Sequence, residues 1–349
     1  MTADGGKQAD ELFQRAVDAG ASDLHLVVGR QPYLRIDGAL VAMDGSSWSA
    51  KQTKDFVAKM LTLEQQARFE QEKDLDFAHQ TTNGDRFRVN AHWEKGVVGL
   101  AARRIPNEIP DVAASGLTLE MQTLTDLPNG LVLITGPAGC GKSTTLATMV
   151  NAINLSRAAN IFTLEDPIEF VFPVGQSLVR QREIGVDANS FPAGLKHLLR
   201  QDPNVIVVGE MRDLETIATT VTLAETGHLV FATLHTNNAS STIERLIDAF
   251  PGDQQTQIRT QLALSLRAII SQQLVPKQGG GRVAVREFLL NTPAVANLIR
   301  ENKPEQLPTV IQTSAKLGML TFEQDAKRLL SERQISAEDA ARFGGKSGR

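Results

Sequence analysis

The sequence predicts an α/β chain in two parts, a smaller α+β domain followed by a larger domain built on a parallel sheet. Three observations carry this. Short apolar runs parted by Asp37-Gly38 and Asn83-Gly84 occupy the first hundred residues, the pattern of antiparallel hairpins. From about residue 117 the pattern changes to fully apolar strands alternating with helical segments, which implies a parallel sheet. Between them, Ile105-Pro106-Asn107-Glu108-Ile109-Pro110-Asp111 breaks the periodicity with two prolines. The expected division is a domain over 1–104, a linker over 105–116 and a domain over 117–349. A chain of 349 residues is long enough for two cores.

Each element follows in order. Residues 1–8 read as a disordered start. Leu12, Phe13, Ala16 and Val17 fall at helical spacing and predict a helix over 11–19 with Gly20 as its C-cap. Residues 23–28 alternate as a strand. Tyr33–Ile36 and Ala39–Val41 flank the first tight turn. A helix is expected over 50–61. Leu75–Ala78 and Arg86–Asn90 make the second hairpin, and 97–104 continues the sheet. In the second domain the expected strands are 131–135, 160–164, 205–208 and 229–233. The last hundred residues read as largely helical. Phe322, Ala326, Leu329 and Leu330 mark one face of an amphipathic helix over 321–330.

Composition narrows the function classes. Hydrophobic content of 42% and charged content of 22% fit a soluble globular chain. A net charge of −4 argues against a dedicated nucleic-acid binder. The single cysteine, Cys140, excludes an intramolecular disulfide and a four-cysteine zinc site. No run of about eighteen apolar residues occurs, and the N-terminus lacks the apolar stretch of a secretory signal. The expected location is the cytoplasm.

The most specific segment is Gly136-Pro137-Ala138-Gly139-Cys140-Gly141-Lys142-Ser143-Thr144. It fits the phosphate-loop pattern G-x-x-x-x-G-K-[ST] at every fixed position. An apolar strand precedes it and a helix follows, the context that the motif requires. Its glycines let the backbone close around an anion, and the helix start adds partial positive charge. Lys142 is placed for the β- and γ-phosphates, and the Ser143 hydroxyl for Mg²⁺. Cys140 reads as a small filler within the loop.

Two further strands end in acids. Val205–Val208 leads through Gly209 to Glu210, the candidate for orienting and polarising the attacking water. Glycine stands at 209, where many such enzymes carry a metal-associated aspartate. Ile161–Leu164 leads to Glu165 and Asp166, held at the strand's end by Pro167. The C-terminal edge of a parallel sheet is where ligands bind. Glu165 is therefore the candidate metal-side acid, acting through water on Mg²⁺. His228 and His235 bracket the 229–234 strand. Either alone is commonly structural; His235, at the C-terminal end, is the favoured phosphate sensor, and His228 is carried as a second nucleotide contact. Zinc finds no supporting cluster.

These segments occur in the order phosphate loop, Glu165-Asp166-Pro167, Gly209-Glu210-Met211-Arg212-Asp213, then Gly227-His228 to His235. In that order the chain resembles the secretion ATPases of type II secretion and type IV pili. Ala21-Ser22-Asp23-Leu24-His25-Leu26, Gln312-Thr313 and Leu317-Gly318-Met319 resemble the PilT-type pilus retraction ATPases among them. The resemblance implies a PAS-like N-terminal domain, a RecA-like P-loop ATPase domain, ATP and Mg²⁺ as ligands, and a homo-hexameric ring. It also implies an inner-membrane pilus platform protein as partner, reached from the membrane's cytoplasmic face. Arginines of the first domain close the nucleotide site in this family, and by motif these are Arg88 and Arg103, whose guanidinium charge suits a transferring phosphoryl group. The longer N-terminal region and four-cysteine element of extension motors are missing. Ala296 stands where retraction ATPases carry an arginine in the segment Ala294-Val295-Ala296-Asn297-Leu298-Ile299-Arg300-Glu301. That departure keeps an accessory pilus ATPase paralogue as the alternative.

Overall fold

The computed structural model describes residues 3–344 except 37, 106, 107 and 113. The chain parts into two compact units, Met1–Glu108 and Ile109–Arg349. Pro106, Asn107 and Asp37 of the sequence expectations lie outside the described residues.

The first unit is a six-stranded antiparallel sheet. Its strands are β1 (Asp23–Leu26), β2 (Tyr33–Ile36), β3 (Ala39–Ala42), β4 (Asp74–Gln80), β5 (Arg86–Glu94) and β6 (Val97–Ile105), in the order β3-β2-β1-β6-β5-β4. Strict alternation sets its two faces. Phe87, Val89 and Ala91 of β5 and Val98, Leu100 and Ala102 of β6 are buried. They share one core with Leu12, Phe13 and Ala16 of helix Ala3–Asp18, Phe56 and Val57 of helix Ala50–Met60, and Phe69 of helix Leu63–Glu72. Arg88 and Arg103 therefore point away from that core. Two expectations change. The first helix is already under way at Ala3, so residues 3–8 are not a disordered start. The helix Leu63–Glu72 went unrecognised, although Thr62 and Gln65 form a reciprocal capping box at its start.

The second unit holds a seven-stranded sheet of β7 (Gly130–Thr135), β8 (Asn160–Glu165), β9 (Leu178–Glu183), β10 (Val205–Val208), β11 (Leu229–Leu234), β12 (Leu266–Pro276) and β13 (Arg282–Leu290). Their order is β13-β12-β7-β11-β10-β8-β9. The four expected strands form its parallel centre, β7-β11-β10-β8. Apolar cores lie on both faces, which explains why these strands are apolar throughout. The last hundred residues, expected to be largely helical, do carry helices but also hold β12, parallel to β7, and β13, antiparallel to β12. Leu266–Val275 carries apolar residues at spacings that fit a helix as well as a strand, and pairing with β7 decides the matter. The expected amphipathic helix is Phe322–Ser331; Ala326 and Leu329 are buried, but Leu330 faces outward.

Candidate active site

β7 runs buried to Thr135, and the chain then turns sharply through Gly136. At Gly136 φ is +145°, and a Cβ would lie 2.3 Å from the Gln272 carbonyl oxygen and 2.6 Å from Cys140 Sγ. Only glycine fits between strand and loop. The helix Lys142–Ser156 opens directly after Gly141, whose lack of a side chain leaves the first-turn N–H groups available to an anion. Ser143 and Thr144 are half-buried at that opening. Lys142 is 8% exposed. Its Nζ donates to the carbonyls of Gly136 (2.8 Å) and Pro137 (3.0 Å), so it lies folded across the mouth of its own loop. Burial pulls the Lys142 ammonium below its ordinary pKa, and the nearby charges of Cys140, Glu210 and Glu169 oppose this. Burial pushes the Cys140 thiol up, away from the reactive thiolate.

Three strand ends deliver the remaining groups to the same edge. Glu210, 9% exposed, follows β10. One carboxylate oxygen meets Arg212 Nη2 at 2.5 Å, and the other meets His235 Nε2 at 3.4 Å. The far side of the His235 ring, Nδ1, lies 3.4 Å from Lys142 Nζ. A neutral ring protonated at Nε2 satisfies both neighbours, accepting from the ammonium and donating to the carboxylate. His235 thus bridges Lys142 and Glu210. Gly209 is glycine for lack of room: a Cβ there would sit 3.0 Å from the Leu164 carbonyl oxygen and 3.2 Å from Glu165 Cα. An aspartate at that place would press on β8, which would have to give by a few tenths of an ångström.

Glu165 ends β8. Its carboxylate accepts from the Thr163 hydroxyl (2.6 Å) and from Gln181 Nε2 (3.1 Å). Burial lifts its pKa above the ordinary carboxylate value, partly offset by those two hydrogen bonds. Among the described residues no cluster of three acids, histidines or cysteines could hold a metal. The donor set suits Mg²⁺ all the same, because that ion keeps most of its waters and takes few protein ligands.

Two expectations fare differently. His228 is a correction: it sits at the opposite end of β11, where its carbonyl accepts from Gly130 N, the start of β7. Its Nδ1 faces the Leu223 carbonyl at 3.0 Å, at the end of helix Leu214–Glu225. Six strand residues, about 20 Å, separate it from His235, so it does not join the loop. Arg88 and Arg103 belong to the first unit. They are direct partners across β5 and β6 on the face away from the core. Arg103 Nε donates to Asp23 Oδ1 at 2.8 Å, yet its side chain remains 74% exposed. Burial acts to raise Asp23, but hydrogen bonds from Ser22 and Arg103 outweigh it and hold that carboxyl below its ordinary value.

Residues 6–342 match the family described as Type II/IV secretion system protein. The chain belongs to that family. Among relatives of this secretion family, it is 43% identical to the type IV pilus retractation ATPase PilT of Pseudomonas aeruginosa, over 95% of this chain and 96% of that protein. It is 39% identical to the type IV pilus ATPase PilU of the same organism, over 95% and 87%. The solved structure of the pilus retraction motor PilT with bound ADP superposes with a TM-score of 0.90 at 41% identity, covering 97% of each chain. The secretion-family fold is thus shared along essentially the whole length.

Two glutamines of the site, Gln272 and Gln181, carry no mark in the sequence. Gln272 of β12 is 1% exposed and lies beneath the loop. Its Nε2 donates to the Cys140 carbonyl (2.8 Å), and its Oε1 accepts from the Thr145 hydroxyl (2.9 Å). It braces the loop against the helix that follows it. No signal marked Gln272, because β12 itself was not foreseen. Gln181 went unforeseen for the same reason, as β9 was not expected. Ala296 lies in the apolar core on helix Pro293–Arg300.

Proposed function

We propose that this chain is a Mg²⁺-dependent ATPase that drives type IV pilus retraction. The observation that carries this is the Lys142–His235–Glu210 constellation at the mouth of a phosphate loop. The PilT likeness over the whole chain supports the retraction role. In this reading the loop amides and Lys142 bind the β- and γ-phosphates of ATP. Glu210 accepts a proton from water as its oxygen attacks the γ-phosphorus, and the bond to the bridging oxygen breaks, leaving ADP and phosphate. Mg²⁺, when bound at Ser143 with Glu165 behind it, supplies charge neutralisation on the phosphate oxygens. His235 feels the γ-phosphate through Lys142 and reports on it to Glu210. Arg88 and Arg103 complete the charge neutralisation.

The same reading makes the chain a homo-hexamer at the cytoplasmic face of the inner membrane, acting on a pilus platform protein. Among the described residues no helix is long and apolar enough to cross a membrane, so attachment goes through that partner. The first domain swings against the ATPase domain across the 105–116 linker. Ala296, in place of the arginine expected of retraction motors, favours a second reading: an accessory ATPase with weak retraction of its own.

Deleting the gene and restoring it on a plasmid tests the role. Cells lacking it should keep surface pili and lose twitching, and the wild-type gene should restore movement while Lys142→Ala does not. Unchanged twitching in the deletion would remove the retraction reading and favour the accessory one.

A further inference from the structure

The second half of the expected linker is fastened to the ATPase unit at three points. Thr148, 1% exposed, lies six residues after Lys142 on the helix Lys142–Ser156. A threonine inside a helix commonly bonds the carbonyl one turn back. Thr148 instead donates out of its helix, to the Pro110 carbonyl at 3.1 Å. The chain beyond Pro110 holds itself in a turn. Ala114 N and Ser115 N both donate to the Asp111 carbonyl at 3.0 Å, and Ser115 Oγ to the Val112 carbonyl at 2.6 Å.

The second point is Arg286 of β13, itself 3% exposed. Its fork donates to the carbonyls of Gly116 (2.9 Å) and Ser115 (3.0 Å). The Arg286 backbone N–H donates to Asp325, which in turn pairs with Arg328 at 2.7 Å. The third point is Leu117. It is buried in the same apolar core as Leu146, Met149, Val150 and Ile153, all on the phosphate-loop helix. A segment held by a helix hydroxyl, a two-carbonyl arginine fork and a core leucine does not behave as free chain.

We propose that residues 110–112 and 114–117 form a strap that stays with the phosphate-loop helix, and that Thr148 is the positioning residue tying the strap to it. Nucleotide held at the start of that helix then steadies the strap as well, through the Thr148–Pro110 bond. Arg286 fixes the other end of the strap to β13. This rests on the ATP-binding reading above, because nucleotide at the helix start is what steadies the helix and, through Thr148, the strap.

Hydrogen exchange of the full-length protein, with and without a non-hydrolysable ATP analogue and Mg²⁺, tests both ideas separately. The variants are Thr148→Val, which keeps the shape and loses the hydroxyl, and Thr148→Ser, which keeps the hydroxyl. In the wild type the analogue should slow exchange over 136–148 and, with it, the amides of Ala114, Ser115 and Leu117. In Thr148→Val the loop should still be protected, but strap exchange should be faster by about five- to tenfold and no longer respond to nucleotide. That is the size expected of one net hydrogen bond. Thr148→Ser should restore the response. A strap that responds equally in wild type and Thr148→Val overturns the inference, as does a serine variant that fails like valine, since Thr148 would then act by packing alone. An unprotected loop in the wild type would overturn the ATP-binding reading, and this inference with it.

Discussion

Gln272 offers a sharp test, because the two atoms of its amide hold two parts of the site. Replacing it with leucine preserves size and burial and removes both hydrogen bonds. The Cys140 carbonyl, buried under the loop, then loses its donor. The Thr145 hydroxyl loses its acceptor but can turn to its own helix, so most of the cost falls on Cys140. A buried unpaired carbonyl costs about 1–3 kcal/mol. If about 2 kcal/mol of restraint leaves the loop, the ratio of competent to incompetent loop falls by a factor of about 30, and nucleotide affinity falls by up to that much. Equilibrium titration with a fluorescent ADP analogue reads this directly. Gln272→Leu should weaken binding by roughly 10- to 100-fold. Thr145→Val should have a smaller effect, and the double variant should lose less than the two singles combined, because both act through one amide. Binding within about twofold of wild type in a folded Gln272→Leu protein would refute the bracing argument.

Other expectations follow from the same geometry. Glu210→Gln should bind ATP normally and hydrolyse it about 10²- to 10⁴-fold more slowly; normal turnover would take the base role from Glu210. Arg103→Ala should slow hydrolysis while changing stability by no more than about 1 kcal/mol, because the side chain is largely exposed beside Asp23; unchanged steady-state kinetics would remove it from the site. Glu165 carries a raised pKa through burial, so the folded state keeps a proton that the unfolded chain gives up. Its cost to stability is absent below the ordinary carboxylate value near pH ~4.3, grows as pH rises through that value, and is complete above the raised one. Glu165→Gln should therefore raise the metal-free melting temperature at neutral pH and leave it unchanged at pH ~4. It should also weaken the dependence of turnover on Mg²⁺. A melting temperature lowered equally at both pH values would contradict the account.

Legibility followed the range of the interactions. The loop and the acids at 165 and 210 were readable because each sits on a short apolar strand whose end defines the sheet edge. Glycine at 209 was noticed in sequence but gained a cause only from the closeness of Leu164 and Glu165 in the neighbouring strand. Gln272 was invisible because β12 takes its form from β7, some 135 residues earlier, and Gln181 because the edge strand β9 is mostly polar and lacks the apolar run that marks the central strands. His228 was misplaced by a different route. A strand brings its two ends to opposite edges of a sheet, and only the end at 235 reaches the loop. The linker was read from its two prolines, which say nothing of Thr148 or Arg286, more than thirty residues beyond them.

The most direct test of the central claim is phosphate release from Mg-ATP by the purified protein across a range of protein concentrations, with Glu210→Gln alongside. The account predicts turnover in the wild type and almost none in the variant. It also predicts a specific activity that rises with concentration, or stays constant once the sample already has the mass of a ring. No turnover at any concentration, with Lys142, His235 and Glu210 intact, would contradict it.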